Sequence, residues 1–378
     1  MHTVRLRLLA FLAILLVAAC APGSATGAFT AATALSAPVT LHPTATRPPA
    51  GLVVAPTLQN AVGPYTYPAG INPLTGLSLD DLARQTFRPV AVKISNAPPL
   101  VRPQAGIGQA DVVFEHYTEG NLTRFTALFL SQLPRRVGSI RSARLIDVEI
   151  PEMFESYLIY SGASQGVRDR IEATAFAPRA FYGVEIGPPV YYRDPALPIP
   201  HNLFADLVAA HERAARLGVN TPPAPNYSAL AFSLDPPPGG ESAEEIDLGY
   251  AVSGAFYRYD PAAGVYWRWT DGEPHYDANT DRQLSAANVV VLYANHTLTD
   301  IVESAWQGSV SYSIEIQLWG EGRAVVFRDG LRYDGAWERR RPEEMFLLRA
   351  DDGAIMRLKP GVTFFQLVPS DFSALSAE

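Results

Sequence analysis

A single cysteine, Cys20, is present in the 378 residues, close to the amino terminus. No disulfide can form within the chain, and no cysteine-based metal site can exist in its folded part. The folded part must therefore be held together by a hydrophobic core, and 48% of the residues are hydrophobic. About 310 residues follow the first sixty or so, which is long for one core and sufficient for two.

The segment before Cys20 has the layout of a secretory signal, with two basic residues ahead of an uncharged apolar run from Leu8 to Ala18. This run is too short to span a bilayer, which takes roughly 20 residues. It ends in Leu16-Val-Ala-Ala-Cys20, which resembles the bacterial lipobox, where the cysteine is acylated and becomes the new amino terminus. We expect residues 1–19 to be removed, and acyl chains such as palmitate to anchor Cys20 at the extracytoplasmic face of the cell membrane. The alternative is an ordinary signal peptide cleaved near Ala18 or Ala19, with Cys20 as an incidental cysteine.

Residues 20–64 are predicted to form a tether. Residues 21–60 include ten Ala, seven Thr and six Pro, with Arg47 as the single charged side chain. Such a segment cannot bury enough apolar surface to offset its ordering entropy. After the leader, 28 basic residues face 38 acidic ones, a net charge of −10. This acidic balance argues against nucleic acid as a partner, whereas the lipid anchor makes the membrane an expected partner.

Proline and glycine cluster between residues 221 and 244 and predict a linker between two domains. Residues 65–220 alternate strand-like and helical patterns, which predicts a mixed α/β domain. Residues 245–370 consist of short β-branched and aromatic runs between Gly and Asp turns, which predicts a β-rich domain. The expected fold class is α+β.

The apolar patterns place individual elements within these two domains. Before the linker, strands are predicted at Pro89–Ser95, Asp111–His116, Phe125–Ser131 and Tyr157–Ser161. Helices are predicted at Ser142–Ile150, ended by Pro151, at Gly166–Ala173, and from an Asn202 cap to Gly218. After the linker, strands are predicted at Ala255–Tyr259, Val265–Thr270, Asn288–Tyr293, Val310–Trp319, Arg323–Arg328, Met345–Arg349 and Thr363–Val368.

Several short motifs occur in a fixed order between about residues 70 and 370. They are Asn72-Pro-Leu-Thr-Gly76, Arg88-Pro-Val-Ala-Val-Lys-Ile-Ser-Asn96, the run Arg102 to Glu115, Glu119-Gly-Asn-Leu-Thr-Arg124, Val137 to Arg144, Pro200-His-Asn-Leu203, Asn288-Val-Val-Val291 and Lys359-Pro-Gly-Val-Thr363. Through them the chain resembles the YerB-like bacterial lipoproteins, a two-part domain family of unknown function. The resemblance implies the family and transfers no catalytic residues.

The densest polar cluster surrounds Gly138 and consists of Arg135, Arg136, Arg141 and Arg144. Arginines at the start of the helix predicted from Ser142 face the positive end of its dipole, so an anion is expected between them. One interpretation is a phosphate or carboxylate ligand held by forked guanidinium groups. The other is an internal ion network with Glu115, Glu119 or Asp147. The candidate ligand-binding residues are Arg102, Arg124, Arg141, Ser142, Arg144, Arg193 and Asn202.

Three residues are candidates for acid or base chemistry. Glu115 and Glu119 flank a turn, and if they shared one cleft, one carboxyl could raise the pKa of the other. His201 precedes the predicted Asn202 cap, where a helix dipole would favour the neutral ring. The alternatives are salt-bridged glutamates and a loop-packing histidine. The histidines lack a paired spacing such as HExxH, so no metal site is expected, and no cofactor is expected either.

The second domain contains Trp267, Trp269, Trp306, Trp319 and Trp337. Aromatic side chains on short strands can form the core of a sheet domain or a platform for carbohydrate or peptide. Three classes of function are consistent with the sequence. The first is a binding or scaffold lipoprotein that recognises an anionic cell-envelope ligand or protein partner through an arginine-lined cleft. The others are an extracytoplasmic enzyme acting on cell-wall or phosphate-linked substrates, and a structural adaptor. Because neither an activated nucleophile nor a metal cage is evident, binding is favoured.

Overall fold

A computed structural model of the chain describes residues 61–221 and 230–378. The predicted leader, Cys20 and nearly all of the predicted tether lie outside these residues. The described residues belong to one compact unit, Val54–Glu378. Its first strand, Ala61–Val62, lies within the last positions of the predicted tether and pairs with Phe232–Ser233.

The strands before residue 221 are β1 Ala61–Val62, β2 Val90–Ser95, β3 Val112–Tyr117, β4 Thr123–Phe129, β5 Val137–Gly138, β6 Tyr157–Tyr160, β7 Ala180–Tyr182, β8 Tyr191–Arg193 and β9 Leu203–Ala205. The helices are α1 Ile146–Met153, α2 Gln165–Glu172, α3 Gly183–Ile186 and α4 Leu207–Arg216. Short 3₁₀ turns occur at Leu82–Thr86, Pro99–Val101, Ile107–Gln109, Glu119–Asn121 and Ala177–Arg179.

After residue 230, strands predominate. They are β10 Phe232–Ser233, β11 Glu241–Ser242, β12 Glu245–Leu248, β13 Ala255–Asp260, β14 Val265–Thr270, β15 Glu273–Pro274, β16 Tyr276–Asp277, β17 Arg282–Gln283, β18 Ser285–Ala286, β19 Asn288–Trp306, β20 Ser309–Gln317, β21 Gly320–Arg328, β22 Leu331–Arg339, β23 Leu347–Ala350, β24 Thr363–Pro369 and β25 Leu375–Ala377. The predicted α+β class, with a mixed first part and a strand-rich second part, is confirmed.

One twelve-stranded sheet crosses both parts of the chain, in the order β11-β22-β21-β19-β24-β3-β4-β2-β6-β7, with β20 on β19 and β23 on β22. Its two halves meet where β24 runs parallel to β3, with Phe365 opposite Phe114. A second, smaller six-stranded sheet has the order β15-β14-β13-β12-β25, with β18 on β14. The domain bounds at 221–244 stay a prediction, and the shared sheet is a feature that composition did not indicate.

The central strands are buried on both faces, because alternate residues enter two separate cores. Phe114 and Leu128 pack on one face with Ile146 and Ile150 of α1. Val113, Val92 and Ala127 pack on the other face with α4 and the smaller sheet, through residues that include Leu207, Ala210, Ile246 and Tyr257. Polar side chains on these strands are therefore buried as well, which determines the environment of the candidate site.

The helix predicted at Ser142–Ile150 begins later than expected, at Ile146, and it continues through Pro151 to Met153. Residues 139–143 stay extended because their backbone bonds to neighbouring strands: Arg141 N–H donates to the Lys93 carbonyl at 2.9 Å. The predicted end at Pro151 was wrong. The proline removes only one helical hydrogen bond, and the packing of the buried face of the helix compensates for that loss. Arg141 and Arg144 therefore both lie in the segment before the helix and are not part of it.

The helix predicted from Asn202 was also placed too early. Residues 203–205 form β9, whose pairing with β5 and β8 overrides the helical pattern. Helix α4 begins after Asp206, whose side chain accepts a hydrogen bond from the Ala209 N–H at 3.0 Å. The dipole argument for His201 was therefore wrong as well, since the helix starts beyond it.

Candidate functional site

Three of the predicted arginines surround Glu119, in the turn between β3 and β4. Arg144 donates to both carboxylate oxygens of Glu119, with Nε at 2.7 Å from Oε2 and Nη2 bonded to Oε1. Arg124 approaches Oε1 through Nη2 at 3.2 Å, and its Nη1 donates to the Ser142 carbonyl at 2.7 Å. Burial alone would raise the pKa of Glu119, but the bonds and charges of the two arginines lower it to about 2. Glu119 is thus an ionised partner of the arginines.

Arg144 is satisfied within the protein. Besides Glu119, its guanidinium bonds to the Ala143 carbonyl at 2.7 Å, and Nη1 lies 3.4 Å from Oε2 of Glu303 on β19. Its side chain is only 8% exposed. For Arg144 the structure favours the internal ion network over direct contact with a ligand.

Arg141 differs from its neighbours. Its guanidinium has neither a hydrogen bond nor an ion pair among residues 61–221 and 230–378, and the residue is half-buried. Burial and the charge of Arg144 lower its pKa, against the opposite effect of Glu119. Its backbone is fixed between the carboxyl ends of β2 and β6, where the Ser161 N–H donates to the Arg141 carbonyl at 3.0 Å. Arg141 is therefore held in place by its backbone, while its guanidinium makes no direct contact with a carboxylate within the described residues.

A buried network that the sequence did not reveal lies beneath this cluster. Lys93 of β2 bonds to Asp147 Oδ2 at 2.7 Å and to His116 Nε2 at 2.6 Å, with all three side chains fully buried. Burial lowers the pKa of Lys93 to about 8, although Asp147 opposes the shift. His116 Nδ1 donates to the Tyr117 carbonyl, so Nε2 accepts from Lys93, and burial holds its pKa well below the usual value. The one signal in the sequence was a lysine inside an apolar strand.

The charges of this region do not balance. Arg124, Arg144 and Lys93 face the three carboxylates of Glu119, Glu303 and Asp147 through the contacts above. Arg141 adds one further positive charge. Among the described residues, this surplus cation is the feature of the cluster that remains available to an external anion.

Glu115 lies on the opposite face of the sheet from this cluster. Its Oε1 accepts bonds from Asn96 at 3.1 Å and Thr123 at 2.9 Å. Its Oε2 lies 3.0 Å from Arg268 Nη2. The two groups form an ion pair, although these two atoms do not have the geometry of a hydrogen bond. Arg268 also donates to the Tyr257 hydroxyl at 2.5 Å. Among the described residues Glu115 and Glu119 share no partner, and each is in an ion pair with its own arginine, as in the alternative of salt-bridged glutamates.

The remaining candidates have separate partners. Arg102 pairs with Asp271 at 2.6 Å, and Arg193 donates to the Asn202 side chain at 2.7 Å. Burial lowers the pKa of His201, and the nearby charge of Arg141 lowers it further. The Nδ1 of His201 has no hydrogen-bond partner in the described part of the chain. Thus the structure brings together Arg124, Arg141, Ser142, Arg144 and Glu119, with His201 beside Arg141.

Two kinds of feature are absent from the residues that the structure describes. They contain no group of three or more His, Asp or Glu side chains placed to hold a metal ion. No helix among them is long and apolar enough to cross a membrane.

Comparison with known proteins gave consistent matches. The models described as "Protein of unknown function (DUF3048)", N-terminal and C-terminal domain, match residues 74–220 and 246–365. The chain is 30% identical over 313 residues to "Putative lipoprotein YerB" of Bacillus subtilis (strain 168), covering 80% of this chain and 87% of that protein. The crystal structure of YerB from Bacillus subtilis matches with a TM-score of 0.69 and 28% identity, over 81% of this chain and 99% of that one.

Proposed function

The chain belongs to the YerB-like DUF3048 family of proteins of unknown function, and from this premise we propose that it is a lipid-anchored binding protein. In this proposal Cys20 carries the anchor at the extracytoplasmic face of the membrane, and the folded part recognises an anionic group of the cell envelope through Arg141. The name lipoprotein given to the Bacillus subtilis relative supports the anchor, as does the signal-like leader before the single cysteine.

One observation carries the binding proposal: Arg141 is a half-buried cation whose guanidinium makes neither a hydrogen bond nor an ion pair in the described part of the chain, beside two other arginines. Burial and repulsion from Arg144 disfavour a bare charge at this position. An anion bound to Arg141 would relieve that repulsion and accept the forked hydrogen bonds of a guanidinium, as phosphate and carboxylate groups do. The ion pairs of Glu119 with Arg124 and Arg144 orient those two arginines. They do not include Arg141.

Calorimetric titration of the mature protein in detergent with inorganic pyrophosphate, and with wall fragments retaining or lacking their anionic polymers, tests this proposal. We expect the wild type to bind, and Arg141→Gln to weaken binding by about tenfold or more, since a charge-assisted hydrogen bond contributes about 1.5–3 kcal/mol. The control is Arg135→Gln, because Arg135 is 70% exposed and paired with Asp206. The absence of binding by the wild type, or equal losses in both variants, would count against the proposal.

The anchor has a separate test. Intact-mass analysis of protein extracted from its native membrane should give a chain that begins at Cys20 and carries acyl groups. A mature chain that begins after residue 20, or an unmodified Cys20, would refute the anchor and leave the binding experiment unaffected.

The enzyme alternative receives less support from the same contacts. Glu119, with its pKa near 2, remains ionised and is no proton donor at neutral pH. Glu115 is enclosed by Asn96, Thr123 and Arg268. His201 is the candidate with an unsatisfied ring nitrogen among the described residues, and a proton acceptor alone does not define a reaction.

A further inference from the structure

A groove with a volume of about 800 Å³ opens between the smaller sheet and the segments that follow residues 107 and 131. Its walls include Trp267 and Trp269 of β14, Tyr276 of β16, and the amide side chains of Gln109, Gln132 and Gln283. None of the arginines near Glu119 contributes to it. The groove is therefore distinct from the Arg141 site.

The two tryptophans face outward because the strand register is fixed by a buried charge. Along β14, Tyr266, Arg268 and Thr270 are buried, while Trp267 and Trp269 alternate with them and are half-buried. A slip of one residue would bury the indoles but would also expose Arg268 and separate it from Glu115. The sequence thus keeps two large aromatic side chains at the surface, although burying them would otherwise be favourable.

The indole rings are also held in defined orientations. Trp267 Nε1 donates to Asp260 Oδ2 at 3.2 Å. Trp269 packs edge-on against Phe256 with ring centroids 5.6 Å apart. Two residues of one strand on the same face are about 7 Å apart, so both indoles belong to one aromatic floor, beside which Arg258 Cζ lies 5.7 Å from the Trp269 ring centroid. Tyr276, 43% exposed, adds a third ring at the wall.

The polar groups around this floor are amides: Gln109 is bonded at both ends, since its Oε1 accepts from Asn279 at 3.0 Å, whereas Gln132 and Gln283 are bonded at one end. Gln109 donates to Gln132 Oε1 at 2.9 Å, and Gln283 donates to the Arg268 carbonyl at 2.7 Å. The Nε2 of Gln132 and the Oε1 of Gln283 have no hydrogen bond within the described residues. Both a donor and an acceptor therefore remain available at the groove. Among the described residues that line it, Arg282 alone is charged.

We propose that this groove binds a saccharide, as a short chain of neutral pyranose rings. The C–H face of a pyranose is apolar and packs on the face of an aromatic ring, while its hydroxyl groups both donate and accept hydrogen bonds. Indoles on one face with amides at the rim match both requirements. A proline-rich peptide would also pack on aromatic rings, but it lacks N–H donors at its prolines and would leave the Gln283 acceptor unsatisfied.

Tryptophan fluorescence and calorimetry of the full chain with three tetrasaccharides test the proposal: β-1,4-linked N-acetylglucosamine, β-1,4-linked glucose and α-1,4-linked glucose. We expect at least one to bind and to change the fluorescence. Trp267→Ala and Trp269→Ala should each weaken binding by about tenfold or more. Trp319→Ala is the matched control, since Trp319 is 42% exposed and lies outside the groove.

Folding and site identity need their own checks. Trp269→Phe keeps an aromatic ring and should retain most of the affinity, which separates lost stacking from lost folding. Arg141→Gln should leave saccharide binding unchanged, so failure of the anion proposal is distinguishable from failure here. The proposal is overturned if none of the three tetrasaccharides binds, if the groove variants bind like the wild type, or if a decaproline peptide binds and the sugars do not compete with it.

Discussion

Glu115 on β3 and Arg268 on β14 form an ion pair at 3.0 Å, with both side chains fully buried. The pair joins the parts of the chain on either side of the predicted linker. It also fixes which residues of β14 face inward. Burial alone would lower the pKa of Arg268, but Glu115 and the Tyr257 hydroxyl raise it above its usual value. This ion pair therefore joins the two halves of the fold. It also keeps Trp267 and Trp269 on the outer face of β14.

Removing one member of this pair should be strongly destabilising. Arg268→Met leaves the Glu115 carboxylate buried without a cation, and the free energy of unfolding should fall by about 3–5 kcal/mol. The double variant Glu115→Gln, Arg268→Met should recover part of that loss. Urea unfolding followed by circular dichroism measures both. The control is Arg323→Met, which breaks an exposed pair with Asp334 and should cost about 1 kcal/mol or less. Equal losses in the buried and exposed variants would be inconsistent with this role.

The stability of the protein should depend on pH through Glu119. Its pKa is lowered from 4.5 to about 2 in the folded state, so the unfolded chain binds the proton first as the pH falls. Its contribution is present above pH 4.5 and is lost towards pH 2, by about 2–3 kcal/mol. Glu119→Gln should flatten the curve of unfolding free energy in this window. Glu172→Gln, at an exposed pair with Arg168, should preserve it, and parallel curves for both variants would contradict the prediction.

The corrected start of α4 makes a prediction about its cap. Asp206→Ala removes the bond to the Ala209 N–H and should reduce the unfolding free energy by about 1 kcal/mol. Asp206→Asn keeps a capping oxygen while it removes the charge that pairs with Arg135. It should therefore remain close to the wild type in thermal unfolding. A larger loss in the asparagine variant would assign the effect to the ion pair.

Strands of the central sheet were predictable because both of their faces are buried. β2 and β3 were placed to within a residue, since each is a nearly continuous apolar run with clear breaks. The helix starts were not, because the local patterns at residues 142 and 202 are helical while long-range pairing keeps 139–143 and 203–205 extended. β19 extends to Trp306 rather than Tyr293, because its polar second half pairs with β20.

The sequence indicated which residues form the candidate site, but it did not indicate their ion-pair partners. The arginines near Gly138 stand out in the sequence, but which of them is neutralised depends on Glu303, which lies far along the chain on β19. The buried partners of Lys93 and Arg268 could not be predicted, because a charged residue in a strand normally faces solvent and their carboxylate partners lie on other elements. The sequence likewise left open which face of β14 carries Trp267 and Trp269, and the burial of Arg268 places them on the outer face.

The free charge of Arg141 can be observed directly through its Nε–Hε resonance. In ¹⁵N-labelled protein titrated with inorganic pyrophosphate, with resonances assigned from Arg141→Gln and Arg144→Gln, the Arg141 signal should shift in a saturable way. The Arg144 signal, from an Nε already bonded to Glu119 at 2.7 Å, should move little. An Arg144 shift without an Arg141 shift, or no saturable change in either, would contradict anion recognition by Arg141.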